Sequence, residues 1–507
     1  MKPGKVYLVG AGPGAPGLIT VRGLECLRRA DVVVYDHLVD ESLLQSVPPH
    51  AERVYVGKSA GRHTMPQGEI NDLLVSRAKS GKAAVRLKGG DPFVLGRGGE
   101  EAEALAQAGI PFEIVPGVTS ATAVPAYAGI PVTHRGLSSY FTVVTGHEDP
   151  GKPESGVPWD ILAQGTGTVV ILMGVSNLAD IAGKLMEHGR PGSTPVAAIT
   201  QGTWTSQRTV VGTLADIAGK ASGSGLRPPA VIVVGEVVGL GEGLNWFESL
   251  PLFGKRVLVT RPRHQAAALV ELLAERGAQP IEFPAIEIEP VADLTALDEA
   301  IAGIEGYDWV VFTSVNGVEA FFGRVESLGL DARCLKGVRA GAIGTATADA
   351  LRRWGVRADF VPEVFTSQGL LDGFQNLSVE GQHFLLPRGD ISGQDLVDGL
   401  VGQGARVDQV TVYRVVTPEE LPEDVKGMIA GGEIDVITFT SPSAVNGLLS
   451  LMGEQRGFVQ MATIACIGPT TAAAAAREGL AVDVVAQEHT VSGLVEAIEH
   501  RFSGTRS

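Results

Sequence analysis

The chain has few of the residues that mark secreted, metal-bound or membrane proteins. Its 507 residues include only three cysteines, Cys26, Cys334 and Cys466, without a C-x-x-C pair, which is typical of a reducing cytoplasm. The ten histidines show no metal-ligand spacing, so we predict no metal site. We find no signal peptide and no apolar run long enough to span a bilayer. We therefore expect a cytoplasmic protein that binds no membrane.

Net positive charge is absent as well. A formal net charge of -16 argues against a nucleic-acid-binding surface. One region between Arg53 and Arg97 is an exception, because it contains the basic residues Lys58, Arg62, His63, Arg77, Lys79, Lys82, Arg86 and Lys88. Some of these, such as Lys79, fit a solvated helix end. A basic cleft on an acidic protein is nevertheless suited to a small polyanionic substrate.

One stretch predicts a ligand site where a strand ends. Residues 85–87 are typical of a buried strand, and a helical pattern begins after residues 98–99. Between them, Gly89-Gly90 permits a sharp turn or the close approach of a ligand, and Pro92 keeps Asp91 out of helical conformation. Because ligands of open α/β sheets sit at the carboxyl ends of strands, a ligand site is a better interpretation than a purely structural turn.

The first turn, VGAGPGAPG, resembles a dinucleotide-binding loop but departs from it. Its G-x-G-x-G spacing and its prolines do not match the G-x-G-x-x-G fingerprint. Asp36 follows the next strand at about the distance at which such proteins place a ribose ligand. A dinucleotide-dependent oxidoreductase is therefore one alternative. Asp36, Lys58 and Asp91 lie at successive strand ends, which predicts a single cleft.

Seven motifs then occur in order, namely GAGPG, VYDHLV, VGKSAGRH, RLKGGDPFVLGRGGEE, VPGVTSATAVPAYAGIPVTHR, TGH and QRTVVGTL. Together they resemble the S-adenosylmethionine-dependent uroporphyrinogen-III C-methyltransferases, which are members of the tetrapyrrole methylase family. The resemblance covers residues 3–245. It implies a fold of two α/β domains, with S-adenosyl-L-methionine bound between them as methyl donor, and a homodimer formed through this half.

The resemblance also implies site residues by motif position. Asp36 and Lys58 match the family's proton acceptor and donor. The matching cofactor contacts are Pro13, Gly89, Gly90, Asp91, Val94, Thr119, Ser120, Met173 and Gly202. The candidates for binding substrate carboxylates are Arg62, His63, His134 and Arg135. Ala15 and Leu95 stand where the family usually has Asp and Phe, and Ala15 leaves the detail of the first loop open.

The second half contains an internal duplication. Residues 261–277 align with residues 388–404, and residues 308–314 align with residues 435–441. Two similar α/β lobes with arginines and hydroxyls at their strand ends predict a cleft that binds carboxylates. The alternative is that the serines and threonines only cap helices, and the two roles are compatible.

The motifs VLVTRP, VVFTSVNGV, AIGTATADAL, LLPRGD, VTVYRVV, VITFTSPSAV and CIGPTTA resemble uroporphyrinogen-III synthase over residues 255–502. The resemblance implies a bilobed α/β fold that needs no cofactor, with a two-stranded connection between the lobes. Tyr413 matches the family's recurrent tyrosine and is our candidate proton donor, although a core tyrosine with a satisfied hydroxyl is nearly as consistent. The predicted substrate-binding residues are Arg261, Ser314, Arg388, Ser441, Thr470 and Thr471.

We therefore expect an α/β protein in two halves. The expected divisions are a methyltransferase at 1–245 (subdomains about 1–115 and 116–245), a linker at 246–254, and a synthase at 255–507 (lobe one about 255–288 plus 418–507, lobe two about 289–410). The aromatic pair Trp246-Phe247 favours a docked linker over a free one.

The two resemblances imply consecutive reactions on tetrapyrroles. The synthase half would cyclise hydroxymethylbilane to uroporphyrinogen III with inversion of ring D. The methyltransferase half would then methylate C2 and C7 to give precorrin-2, destined for sirohaem or cobalamin. The alternatives are an oxidoreductase in the first half, and a second half that only senses a ligand or acts as a scaffold.

Overall fold

The computed structural model describes residues 3–57, 65–147 and 155–503, apart from the side chain of His264. These residues form two compact units. The first runs to Lys255 and includes Glu275–Gln279, and the second comprises Arg256–Ala274 and the residues from Pro280 onward. In the described part of the chain, no helix combines the length and the apolar character needed to cross a membrane.

The first unit begins with a five-stranded parallel sheet in the order β3-β2-β4-β1-β5. Its strands are β1 Val6–Gly10, β2 Val32–Tyr35, β3 Glu52–Tyr55, β4 Ala84–Lys88 and β5 Phe112–Val115. Every residue of the central strand β4 is buried, as expected for a parallel sheet covered on both faces. All five carboxyl ends meet at one edge, so the loops that follow β1, β4 and β5 are neighbours.

The second sheet of this unit is mixed and has the order β6-β7-β10-β8-β9. Its strands are β6 Phe141–Thr145, β7 Thr168–Leu172, β8 Pro195–Thr200, β9 Arg208–Thr213 and β10 Ala230–Val234. The α-helices of the unit are α1 Val21–Leu27, α2 Gln67–Lys79, α3 Gly98–Gln107, α4 Ser120–Tyr127, α5 Trp159–Gln164, α6 Leu178–Glu187, α7 Ile217–Gly223 and α8 Gly241–Leu244. Because β10 is antiparallel to both β7 and β8, β7 and β8 point the same way.

The second unit contains two further five-stranded sheets, β12-β11-β18-β19-β20 and β13-β17-β16-β14-β15. Their strands are β11 Arg256–Val259, β12 Gln279–Glu282, β13 Glu287–Pro290, β14 Trp309–Phe312, β15 Arg339–Ala342, β16 His383–Gly389, β17 Arg406–Val416, β18 Val436–Phe439, β19 Thr463–Cys466 and β20 Val484–Val485. The long strand β17 runs parallel to β16 and pairs antiparallel with β13 near its end.

Helices surround these two sheets and bury separate apolar cores. They are α9 Arg263–Glu275, α10 Thr295–Ala302, α11 Val315–Ser327, α12 Thr345–Arg353, α13 Ser367–Asn376, α14 Asp395–Gly402, α15 Glu423–Ala430, α16 Pro442–Met452, α17 Pro469–Arg477 and α18 Val491–Ser503. The α/β class predicted for both halves is confirmed.

The structure differs from the sequence prediction at the end of α4. Proline and glycine commonly end helices, so the sequence predicts that the helix after residue 119 ends at Pro125 and Gly129. Pro125 instead lies inside α4. Gly129 follows the helix with a left-handed φ of 71°. A proline inside a helix removes a single hydrogen-bond donor, and burial of Ala121, Ala123 and Val124 offsets that loss.

Candidate active sites

Three loops of the first sheet meet at glycines. The Gly90 N–H donates to the Gly12 carbonyl at 2.6 Å, and the Gly12 N–H donates back at 3.2 Å. A Cβ on Gly117 would lie 2.3 Å from the Gly90 oxygen, and one on Gly10 would lie 2.5 Å from the Gly117 Cα. Side chains cannot be accommodated at these two positions, so glycine allows the loops after β1, β4 and β5 to touch.

Asp91 holds two of these loops together. Its Oδ1 accepts from the Phe93 N–H at 2.7 Å, and its Oδ2 accepts from the Gly117 N–H at 3.0 Å. A carboxylate that accepts backbone hydrogen bonds from two segments fixes their separation, and such charge-assisted bonds are the stronger kind. This geometry therefore gives Asp91 an organising role within the loops.

Next to Asp91 the backbone offers an open surface. Gly90 has a left-handed φ of 68°, and the nearest atom to an added Cβ is the Ser120 nitrogen at 3.8 Å. Ser120 begins α4, and the Thr119 side chain caps that helix by accepting from Ala121. A ligand can therefore approach bare backbone at Gly90 beside Thr119 and Ser120, whereas a Cβ on Gly89 would lie 2.6 Å from the Leu38 Cβ.

The second sheet of the first unit presents strained backbone at the ends of β7 and β8. Met173 has a φ of 57° and Thr203 has a φ of 71°, which is uncommon for residues other than glycine and typical of functional sites. Met173 is 52% exposed, whereas Gly202 packs on Val124 of α4. Thr203 Oγ1 accepts from the Ala15 N–H at 2.9 Å, so this loop also reaches the first glycine loop, which contains Pro13.

A buried network of charges lies beside Asp36. Arg86 donates to Asp36 Oδ2 at 3.0 Å and to Glu101 Oε1 at 3.2 Å, and Lys88 donates to the same Glu101 oxygen at 2.9 Å. Glu101 has 0% exposure. Burial, and then the neighbouring Arg86, lower the pKa of Lys88 although Glu101 opposes that shift. Asp36 therefore has one oxygen held by a guanidinium, while its other oxygen accepts from Leu38 N–H at 3.1 Å.

The remaining residues predicted for this half are less well placed. Lys58, Arg62 and His63 lie outside the described residues. His134 and Arg135 are exposed on a turn in which the His134 N–H donates to Ser138 at 2.9 Å. Val94 lies in the loop after β4, where its N–H is 3.4 Å from the Asp91 carbonyl.

In the second unit, two predicted residues meet directly. The Tyr413 and Ser314 hydroxyls are 3.0 Å apart. Tyr413 is buried, and burial raises the pKa of its phenol although Ser314 and Arg388 oppose the shift. The Ser314 hydroxyl also caps α11 by accepting from Gly317 at 3.0 Å. The phenol therefore stays protonated near neutral pH, as a proton donor must.

Two arginines of this unit, the partly buried Arg261 and the buried Arg388, are not neutralised by carboxylates among the described residues. Arg261 donates to Gln265 at 3.3 Å, and burial lowers the pKa of its guanidinium. Arg388 donates to Gln409 and to the Gly393 carbonyl. In the described part of the chain no carboxylate bonds to either arginine, and Arg388 Nε has no hydrogen-bond partner there. Such cations favour an anionic ligand.

The hydroxyls predicted on the other lobe sit at helix starts. Ser441 caps α16 by accepting from Ala444 at 3.2 Å, and Thr470 and Thr471 lie in the first turn of α17. Ser314 and Ser441 are therefore equivalent N-caps, as the internal duplication indicates. Capping leaves the hydroxyl oxygens able to accept further bonds.

A cavity of about 690 Å³ lies beside Tyr413, within the size range of small-molecule pockets. It is lined by Gln265 and Asn316, whose side chains are hydrogen-bonded at 2.6 Å. Its arginines, Arg324 and Arg353, pair with acidic residues. The sequence predicts neither Gln265 nor Asn316 as a site residue, because their contact joins two helices far apart in the chain.

Two family models match the chain. The model for tetrapyrrole (corrin/porphyrin) methylases matches residues 5–218, and the model for the uroporphyrinogen-III synthase HemD matches residues 267–496. The glycine loops with Asp91 fall within the first match, and Tyr413 and Ser314 fall within the second. The fold and the matches together define a methylase joined to a synthase.

Similar proteins include one with the same arrangement throughout. The chain is 41% identical to a porphyrin biosynthesis protein HemD from Ruminiclostridium josui, over 98% of both chains. It is 57% identical to an S-adenosyl-L-methionine-dependent uroporphyrinogen III methyltransferase from Methanosarcina barkeri, over 48% of this chain and 95% of that one. A solved uroporphyrin-III C-methyl transferase from Thermus thermophilus, complexed with S-adenyl homocysteine, is 42% identical over 46% and 93% of the two chains, with a TM-score of 0.40.

This chain belongs to the family of the porphyrin biosynthesis protein HemD. In this chain the tetrapyrrole methylase match precedes the uroporphyrinogen-III synthase match. It is therefore a bifunctional enzyme of tetrapyrrole biosynthesis.

Proposed function

We propose that the synthase half closes hydroxymethylbilane to uroporphyrinogen III with inversion of ring D, and that the methyltransferase half then methylates this product at C2 and C7 to precorrin-2. The contact between Tyr413 and Ser314 beside a cavity of about 690 Å³ carries the first step. The meeting of three glycine loops at Asp91 supports the second.

In the synthase step, Tyr413 gives its proton to the hydroxyl of the substrate, which leaves as water. The resulting cation stays on the substrate, and closure through a spiro intermediate inverts ring D. The proton that the closing pyrrole carbon then loses returns to the Tyr413 phenolate. Ser314 orients the phenol, and Arg261 and Arg388 hold substrate carboxylates, a role supported by their having no carboxylate partner among the described residues. Because the free substrate closes without inversion, catalysis here consists mainly of restraint and orientation.

For the methyltransferase step, the described residues fit S-adenosyl-L-methionine. The open backbone at Gly90 and the start of α4 provide a bare surface, and the ends of β7 and β8 provide Met173 and Gly202. When bound, the donor supplies an electrophilic methyl group on sulfur. The protein holds a pyrrole carbon in line with that methyl, and Asp36 accepts the proton that the macrocycle then loses.

Similarity supports the same conclusion. The Methanosarcina barkeri relative is named for S-adenosyl-L-methionine dependence, and the first half of this chain aligns with nearly all of it. We propose that this half also forms the homodimer, and that no cofactor serves the synthase half.

Two separate reactions with the full chain test the proposal. Hydroxymethylbilane alone should give the type III isomer, and uroporphyrinogen III with S-adenosyl-L-methionine should gain two methyl groups. Uroporphyrinogen of type I alone in the first reaction, or unmethylated substrate in the second, would contradict the corresponding half.

A further inference from the structure

The segment that follows the methylase fold is docked onto it. We call residues 246–254 the connector. The Trp246 Nε1 donates to the Ala126 carbonyl of α4 at 3.1 Å. The Tyr127 ring lies 5.1 Å from the Trp246 ring and 4.8 Å from the Phe247 ring. Edge-to-face aromatic contacts of this kind stabilise packing beyond burial alone, so the connector is part of the first unit.

The connector also contributes a carboxylate to a chain of hydrogen bonds. Glu248 Oε1 accepts from Gln207 Nε2 at 2.9 Å and from Thr209 Oγ1 at 2.6 Å. Gln207 Oε1 accepts from the Thr203 N–H at 2.8 Å. Thr203 Oγ1 accepts from the Ala15 N–H at 2.9 Å. This series of hydrogen bonds therefore links Glu248 in the connector to Ala15 in the first glycine loop.

The hydrogen bonds in the middle of this series stabilise a strained backbone conformation at Thr203. Thr203 is 3% exposed and has a φ of 71°, a conformation that is strained for a β-branched residue. Gln207 is 2% exposed, and its amide is oriented by donating to Glu248 and accepting from Thr203. The Gln207 amide can donate to Glu248 and accept from Thr203 in only one of its two flipped orientations. Glu248 therefore fixes the orientation of the Gln207 amide.

We propose that Glu248 is a positioning residue for the methyl donor, acting through Gln207 and Thr203. This inference rests on the proposed function, because Gly202 and Pro13, the predicted donor contacts, adjoin the residues that the chain holds. Glu248 itself does not touch the donor. It keeps the loop after β8 in the strained conformation that meets the first glycine loop.

A swap of hydrogen-bonding groups in the full chain tests the role. Gln207→Glu places two carboxylates against each other, so the link breaks. The double variant Gln207→Glu/Glu248→Gln restores it, because the carboxylate introduced at position 207 accepts from the Thr203 N–H and from the amide introduced at position 248. Both bonds to Glu248 end on its Oε1, so the amide nitrogen placed there donates its second N–H to Thr209, whose hydroxyl can accept as well as donate. Glu248→Gln alone is the matched control, since it keeps an acceptor oxygen at this place.

Calorimetric titration with S-adenosyl-L-methionine should show a Kd raised about tenfold or more in Gln207→Glu, the effect of losing one to two buried hydrogen bonds. The double variant should return to within about threefold of wild type, a residual of less than one hydrogen bond. The methyltransferase KM for the donor should follow the Kd, with a smaller change in kcat.

Wild-type affinity in Gln207→Glu, or a weak double variant, would overturn the role of Glu248. Absence of donor binding by the wild-type protein would instead contradict the proposed function. Thermal unfolding of each full-length variant, followed by circular dichroism, reports whether the first unit has folded, because synthase activity reports only on the second unit. If Gln207→Glu does not fold, Glu248→Ala replaces it, with the same expected rise in Kd and with Glu248→Gln as the functional comparison.

Discussion

At the scale of single residues, Asp91 is the group on which the methylase loops depend most. Both of its oxygens accept backbone hydrogen bonds, from Phe93 and from Gly117. The sequence predicts a donor contact at Asp91, and a carboxylate in this loop can either touch the ligand or hold the loop. The observed bonds favour the holding role.

We expect Asp91→Ala to abolish methylation and to spare synthase activity in the same protein. Losing two charge-assisted hydrogen bonds of about 1.5–3 kcal/mol each should weaken donor binding at least tenfold. Asp91→Asn, which keeps one acceptor, should be intermediate. The measurements are donor Kd and the two activities, and an equal loss of both activities would contradict independent halves.

In the synthase half, Tyr413 is the residue on which the proposed reaction depends. We expect Tyr413→Phe to lower the synthase rate by about 10²-fold or more, which is the usual contribution of a positioned proton donor. The stability change should be only about 1 kcal/mol, the worth of the bond to Ser314. Ser314→Ala is the comparison, because it keeps the phenol and loses its partner.

If Tyr413 is only a core residue, the two variants will lose little activity and will differ only in stability. Methylation of added uroporphyrinogen III should be unchanged in both variants. Initial rates and urea unfolding of the same preparations separate these outcomes.

At the scale of elements, the parallel sheet of the first unit is fastened at its edge by Glu113 of β5. Its carboxylate accepts from Arg22 at 3.0 Å and 3.1 Å and from Lys5 at 2.7 Å. The Arg22 hydrogen bonds and then Lys5 lower the pKa of Glu113 to about 2. The lowered pKa means that this stabilisation is present above the ordinary value of 4.5 and is lost as the pH falls toward 2.

We expect Glu113→Gln to lower the free energy of unfolding at pH 7 by about 1 kcal/mol or less, because the pair is partly exposed and screened. The difference from wild type should shrink as the pH falls below the ordinary pKa of 4.5. Urea unfolding of both proteins at several pH values from about 3 to about 7 measures this difference in the free energy of unfolding. A difference that stays constant over this range would show that the ion pair is not its source.

Much of the architecture was predictable because apolar runs alternate with glycine-rich turns. The strand β4 and the start of α3 lie where the pattern indicated. The edge strand β9 was not predicted as a strand, since its residues are only partly buried and its sequence QRTVVGTL was interpreted only as a motif. Pro125 misled the prediction of the end of α4, because a local rule was overridden by burial of the helix.

The candidate sites were predictable only where a motif carries them. The set Gly90, Asp91 and Thr119 was named from the sequence, and the structure brings the three loops together. The sequence did not predict roles for Glu101, Gln207 and Glu248. Each of these residues acts through a contact with residues that are far away in the chain. No periodicity or spacing signals such a contact.

At the scale of the whole molecule, the chain joins two α/β units whose families act on the same class of compound. The first unit includes the connector, so its aromatic and carboxylate contacts belong to the methylase. Each unit carries its own set of candidate residues. Because the synthase product is the methylase substrate in our account, a single chain should perform both steps.

The most direct test supplies the full-length protein with hydroxymethylbilane and S-adenosyl-L-methionine under anaerobic conditions and identifies the product by isomer analysis and mass spectrometry. We predict a dimethylated product of the type III series, with two S-adenosylhomocysteine molecules formed for each macrocycle. Unmethylated uroporphyrinogen of type I as the only product would contradict both assignments.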